Sequence, residues 1–430
     1  PCPETGFSLV DAACPVILAN YAAGFDPADA VAQVRWLVGL LDSDSDGQAD
    51  RWPGVLARFR WADALSIPPS GHALVSAVAL AAGARGVFET WAQSENWSDA
   101  ALAVPEEIYL RWEQAFCPAL SLHDYLLSAT PVTDAAVWRS WAAAAMAKPG
   151  DEAEAAAVAS AQGWLAILCR VGFLPRTVSD EAIAAGRLSG VKVLAVPSVL
   201  CASDEARSQL EAFARRGGIL LLGPGSLALD KFHRPTPRPS FMQCETAGTG
   251  LSPIRLAAPA TLRDGLEVGR LVSDAWRPGS EADVLLRDGK PVVWAWRVGK
   301  GWVVYFAAEP LPTSRWEKWL REWLRSHGAA PTAECSPGAR ALVSELAQDR
   351  RLVVVYNAGP VGKQETLPRV RVSLAVQGGP RVEELVREQP ARYNRCTSRL
   401  VEVTLRQGRL EFTTDLRPHE FRAYLVLSSG

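Results

Sequence analysis

Four aspartates in one short run carry the chain's clearest ligand chemistry. Asp42-Ser43-Asp44-Ser45-Asp46-Gly47-Gln48-Ala49-Asp50 has the form D-x-D-x-D-G-x-x-D. Carboxylates at loop positions 1, 3, 5 and 9, a main-chain carbonyl at 7 and a turn-making glycine at 6 suit a hard cation. The ligand set for a structural Ca2+ is therefore Asp42, Asp44, Asp46, Gln48 and Asp50. Position 12, where a bidentate glutamate would complete an EF-hand, is Pro53, so the loop is a looser one. The alternative is an acidic, solvated turn after a helix.

Other reactive types are sparse. The eight cysteines form no CxxC and no dense framework, which argues against a zinc module and a disulfide-stapled domain. His233 stands alone in a loop-like stretch. A formal net charge of -2 gives no electrostatic case for nucleic acid or an anionic membrane. No apolar run approaches the roughly 20 residues that span a bilayer. The chain starts Pro-Cys-Pro, without initiator methionine or signal peptide. A processed protein and a fragment with an upstream start both fit, and the compartment stays open.

At 430 residues, about two to four domains are expected. The middle is the most legible part. Val191 to Pro197 is a valine-rich run suited to a strand buried on both faces. Ser203 then reads as a helix N-cap with Asp204 and Glu205 in the first turn. Gly217-Gly218 ends that helix, and Ile219 to Leu222 is the next strand. This is a β-α-β unit of a parallel sheet.

The wording of that unit, VLAVP, then SDEARSQLEAFARRGG, then ILLLGPG, resembles a glutamine-amidotransferase-like domain. Such a domain occurs in multidomain glycoside hydrolases related to family-42 beta-galactosidases, where it is called the trimerisation domain. The resemblance implies a flavodoxin-like domain over 132–330 and a homo-oligomer, by that name a trimer. True amidotransferases carry a nucleophilic cysteine in the turn after the second strand. Here the turn is Gly223-Pro224-Gly225-Ser226, so the domain is expected to be non-catalytic. Cys201 sits before the helix, at the wrong end, and reads as a packing residue.

Residues 1–131 alternate strand and helix three times, with strands over 15–21, 55–61 and 84–91. The phrase Ala77-Val78-Ala79-Leu80-Ala81-Ala82-Gly83-Ala84-Arg85-Gly86, running into Val87-Phe88-Glu89-Thr90-Trp91, resembles the last turns of family-42-like barrels. The three units would then be the sixth to eighth repeats of a (β/α)8 barrel whose first five are missing. Barrel sites lie at the C-terminal strand ends. That placement makes Asp63 and Glu89 the candidate catalytic carboxylates, and Asn20, Tyr21, Trp61 and Trp91 the candidate sugar contacts. Asp63 lies nearest the nucleophile's place, but RWADAL lacks the family's glutamate pattern. Both carboxylates read equally as ordinary loop residues. Trp61, Trp91 and Trp97 offer the flat faces that suit sugar rings, although barrel packing explains Trp61 as well.

From about 338 to 430 the sequence has strands over 352–357, 369–376, 400–405 and 421–427, at sandwich spacing. Leu416-Arg417-Pro418 through Tyr424 resembles the closing phrase of the small β-sandwich that ends such glycosidases. The expectation is therefore α/β and multidomain: a partial (β/α)8 barrel, a flavodoxin-like amidotransferase-like domain and an all-β sandwich. The implied function is hydrolysis of a β-linked carbohydrate by two carboxylates. The alternative is a non-catalytic carbohydrate-binding or assembly protein on the same scaffold.

Overall fold

A computed structural model describes residues 16–21, 25–42, 46, 55–61, 68–90, 118–119, 121–140, 142, 152–246, 254–375, 381–387 and 396–427. In 16–21, 55–61 and 88–90 the description is of the backbone alone. The chain divides into two compact units, residues 1–43, 48–132 and 331–430 in one and 44–47 and 133–330 in the other.

The first unit opens with a parallel sheet of three strands in chain order, Val16–Tyr21, Val55–Trp61 and Ala84–Thr90. Helices Pro27–Leu41 and Pro69–Ala81 connect them. Asp26 caps the first helix, accepting from Ala28 N–H at 2.8 Å, and Pro27 takes the N1 place where a missing N–H is harmless. The second helix buries ten of its thirteen residues. Its small side chains give it the all-round apolar surface of a helix enclosed by protein.

The same unit holds a β-sandwich. Its larger sheet has Cys396–Leu400, Arg381–Arg387, Phe421–Leu427, Arg350–Asn357, Ala339–Leu346 and Thr130–Pro131 in that spatial order. The smaller has Ala333–Cys335, Leu367–Ala375, Arg409–Leu416 and Thr404–Arg406. All the pairings are antiparallel. Val370, Val372 and Leu374 alternate inward and meet Val353, Val355, Phe412 and Tyr424 in one core. Thr130–Pro131 extends the sheet through Glu345↔Thr130, so the run leaving the parallel sheet is bonded into the sandwich. The expected strand over 400–405 is corrected: one strand ends at Leu400 and another starts at Thr404. Across the break, Val401 N–H donates to the Val382 carbonyl at 3.0 Å.

The second unit is built on a seven-stranded sheet. Pro175–Val178, Ala135–Trp138, Val193–Val196, Ile219–Leu222 and Gly301–Phe306 run parallel, in the order 2-1-3-4-5 of flavodoxin-like sheets. Lys290–Val298 and Asp283–Asp288 add an antiparallel edge. The four short strands before Gly301 are buried at every position, as a sheet covered on both faces requires.

Two glycine phrases explain each other here. Helix Asp204–Arg215 ends at Gly217, with φ 113°, and a Cβ on Gly218 would sit 2.3 Å from the Phe213 ring. A Cβ on Gly301 would meet the Gly218 carbonyl oxygen at 2.1 Å. Lys300 N–H donates to Arg215 O and Trp302 N–H to Gly218 O, at 3.1 and 3.2 Å. The hairpin between the last parallel strand and its neighbour therefore seats on the helix end, and larger residues would force it off. Helix Ser314–Ser326 turns Trp316 inward, 1% exposed, against the Phe306 ring. Among the described residues no helix is long and apolar enough to cross a membrane.

Candidate functional site

The three parallel strands end side by side. The register pairs Tyr21 with Trp61, Asn20 with Arg60, and Phe59 with Glu89. Glu89 therefore lies one row below the Arg60–Thr90 pair and two residues short of the Trp61 row, at the carboxyl end of the sheet. The backbone thus brings the ends carrying Asn20, Tyr21, Trp61 and Glu89 to one edge, the edge where parallel α/β sheets place their ligands. Asp63, Trp91 and Trp97 lie outside the described residues.

Of the acidic run, Asp42 and Asp46 are described, the first buried and the second exposed. Asp44, Gln48 and Asp50 lie outside the described residues. The Asp46 carbonyl accepts from Arg176 Nη1 at 3.0 Å. Among the described residues, no three His, Cys, Asp or Glu side chains converge as a metal site would need.

In the second unit, a ligand would be sought where the strand order reverses, beyond the carboxyl ends of the strands. That place lies between Ala135–Trp138 and Val193–Val196; next to it, beyond the third to fifth parallel strands, the protein is bonded to itself. Ser226 is fully buried and its hydroxyl donates to Val196 O at 2.9 Å. Gly225 N–H donates to the Tyr305 hydroxyl at 2.8 Å, and Trp276 Nε1 donates to Ser226 O at 3.1 Å. The Tyr305 ring lies against Trp294, with ring centroids 4.7 Å apart. Burial drives the Tyr305 hydroxyl far above the usual tyrosine range, so it serves only as a neutral hydrogen-bonding group.

Ser198 follows the strand Val193–Val196 with φ 50°, the kind of strained strand-to-helix turn that can present a nucleophile. Its backbone N–H would lie 2.6 Å from a Cβ on Gly223, so the turn can pack only against glycine. The Ser198 hydroxyl is buried and has no hydrogen-bond partner among the described residues, so none of them is placed as a base to activate it. Cys201 is 2% exposed and packs with Leu200, Ile254 and Leu271, as a packing residue should. Burial pushes the Cys244 thiol up to about 12, which leaves it inert. His233 sits in its loop at φ 61°.

One feature escaped the sequence entirely. A cavity of about 820 Å3 opens in the first unit between the start of helix Pro69–Ala81 and the strands Arg381–Arg387 and Phe421–Leu427. Its walls come from segments some 300 residues apart, and no local pattern announces such a meeting.

No family model matches the chain, and no curated protein matches it in sequence. Solved structures do match it in fold. The chain is similar to a catalytic mutant of Gan42B, a GH42 beta-galactosidase from G. stearothermophilus, with a TM-score of 0.60 at 13% identity. That match covers 96% of this chain and 59% of the other. A beta-galactosidase from Rahnella sp. R3 matches with a TM-score of 0.58 at 12% identity, over 95% of this chain and 60% of that one. One from Bacillus circulans sp. alkalophilus gives 0.52 at 14%, over 88% and 64%. The chain thus spans about three fifths of the length of these beta-galactosidases. The resemblance to family-42 beta-galactosidases is borne out as one of fold: an α/β chain with mixed sheets, arranged as in the part of those enzymes that it covers.

Proposed function

We propose that the chain belongs to a glycoside hydrolase acting on a β-linked carbohydrate by a two-carboxylate mechanism. The observation that carries this reading is the fold likeness to GH42 beta-galactosidases over 96% of the chain. In this reading the three parallel strands are part of a (β/α)8 barrel, and their shared carboxyl edge is part of the sugar site. Asp63 attacks the anomeric carbon while the second carboxyl, Glu89, protonates the departing oxygen. Water, deprotonated by the same second carboxylate, then releases the sugar. Retention by this route needs the two carboxyl groups about 5–5.5 Å apart. Asn20, Tyr21, Trp61 and Trp91 would hold the sugar ring.

The doubly wound unit is read as the non-catalytic, amidotransferase-like assembly domain of a homo-oligomer, a trimer. The turn after the fourth parallel strand supports that reading: it carries no cysteine, and Ser226 is buried and bonded to Val196. The sandwich is a structural accessory, and the Asp42–Asp50 loop holds Ca2+. One observation favours the second reading, a non-catalytic carbohydrate-binding or assembly protein: RWADAL has an aspartate where the resembled family has its glutamate pattern. Assay of the whole protein on a panel of 4-nitrophenyl glycosides separates the two. Nitrophenol release from a β-glycoside supports the enzyme, and none from any of them leaves the non-catalytic reading.

A further inference from the structure

The lining of the cavity in the first unit includes hydrogen-bond donors that have no acceptor among the described residues. Its two carboxylates are already engaged. Glu384, 7% exposed, is held by Arg399 and by Arg422 Nη1, the latter at 2.9 Å. Glu420 accepts from Arg422 Nε at 3.1 Å and from the Arg417 N–H at 2.6 Å. The Arg417 guanidinium, by contrast, is exposed and has no partner among the described residues. Three arginines against two glutamates leave the lining one positive charge in excess.

His419 supplies the second, independent observation. It is nine-tenths buried, and its Nε2 accepts from the Gly362 N–H at 2.8 Å. Its own N–H donates to Gln364 Oε1 at 2.6 Å, which locks the residue in place at φ 58°. A nitrogen that accepts carries no proton, so the ring hydrogen is on Nδ1. Burial holds the ring's pKa below the usual histidine value, which keeps this neutral tautomer at pH 7. Nδ1–H has no partner among the described residues, and the residue lines the cavity.

The far wall is the first turn of helix Pro69–Ala81. No side chain caps it, Pro69 has no N–H, and the Ser70 N–H and hydroxyl are unpartnered among the described residues. That end of a helix attracts negative charge. Arg417, His419 and Ser70, which carry these donors, all line one space.

We infer that this cavity binds a small organic oxyanion, a carboxylate or phosphate monoester, between Arg417, His419 and the start of helix Pro69–Ala81. The volume, about 820 Å3, falls within the range of small-molecule sites. An oxyanion accepts from several donors at once, whereas a neutral hydroxyl would compete with the engaged carboxylates. The choice of sugar-borne anions as probes rests on the glycosidase reading; the oxyanion itself does not.

Calorimetric titration of the whole protein with galacturonate, galactose 6-phosphate and galactose tests this. At least one anionic sugar should bind about tenfold or more tighter than galactose, and Arg417→Ala should weaken it by about tenfold or more, as loss of a charge-assisted bond does. Arg417 is exposed, so its substitution spares the fold; melting of the variant at the wild-type temperature checks this. Binding of neither anion, equal binding of galactose, or unchanged binding in the folded Arg417→Ala protein overturns the proposal. Binding is read without turnover, so an inactive protein that binds the anion sinks only the glycosidase reading.

Discussion

The Gly225 N–H donates to the Tyr305 hydroxyl at 2.8 Å, joining the turn after one parallel strand to the face of the strand beside it. Ser273 hydrogen-bonds the same oxygen. The contact ties together the carboxyl ends of the fourth and fifth parallel strands. Tyr305→Phe leaves a buried N–H without an acceptor, which costs about 1–3 kcal/mol. Denaturant melts of the variant should show that loss. Glutamine incubated with either protein should release no ammonia, and ammonia that vanished in Cys201→Ala would contradict the silent-domain reading.

Asp26 has two duties in the first unit. It caps helix Pro27–Leu41 through Ala28 N–H, and the same oxygen takes Arg340 Nη1 at 2.9 Å. The two side chains are 15% and 6% exposed. Asp26→Ala removes the cap and one partner of a buried guanidinium, a loss of about 1–3 kcal/mol. Asp26→Asn keeps a capping oxygen and should recover part of it. A variant Asp26→Ala as stable as the wild type would rule out this coupling.

Glu309 lies in the strand Ala308–Pro310, half-buried, and burial raises its carboxyl above the ordinary range. The folded protein therefore holds that proton more tightly than the unfolded chain. Its contribution is fullest below the ordinary carboxylate pKa and is lost as pH rises from there through the raised value. Glu309→Gln should flatten stability against pH across that window and stabilise the protein at pH 7. Unfolding curves at several pH values would expose the opposite slope if the reasoning is wrong.

Four carboxylates brought together without a cation repel one another, so the Asp42–Asp50 loop is expected to bind Ca2+. Calorimetry should give heat that Asp44→Ala combined with Asp46→Ala abolishes. Neither heat nor a thermal shift with calcium would retire that loop as a site.

The sequence showed most where local chemistry and burial agree. Val55–Trp61 and Phe421–Leu427 were legible residue for residue, and each is an inner strand of its sheet. Ser203 was read as a cap and is one. Arg381–Arg387 was missed, since its buried Glu384 breaks the apolar alternation and is tolerated only through Arg399 and Arg422. The break between Leu400 and Thr404 was missed as well, because 65%-exposed Leu400 and 54%-exposed Leu405 imitate a buried pattern. The acceptor-poor cavity was invisible: His419 is informative only once Gly362 is known to hold its Nε2.

The central claim is that carboxylates at the edge shared by Trp61 and Glu89 hydrolyse a β-glycoside. Its most direct test is the rate of nitrophenol release from 4-nitrophenyl β-galactoside by the whole protein, Asp63→Asn and Glu89→Gln. The account predicts a measurable wild-type rate and a fall of about 10²–10⁴-fold in each variant, the range for loss of an acid–base group. Wild-type turnover that both variants retain would contradict it.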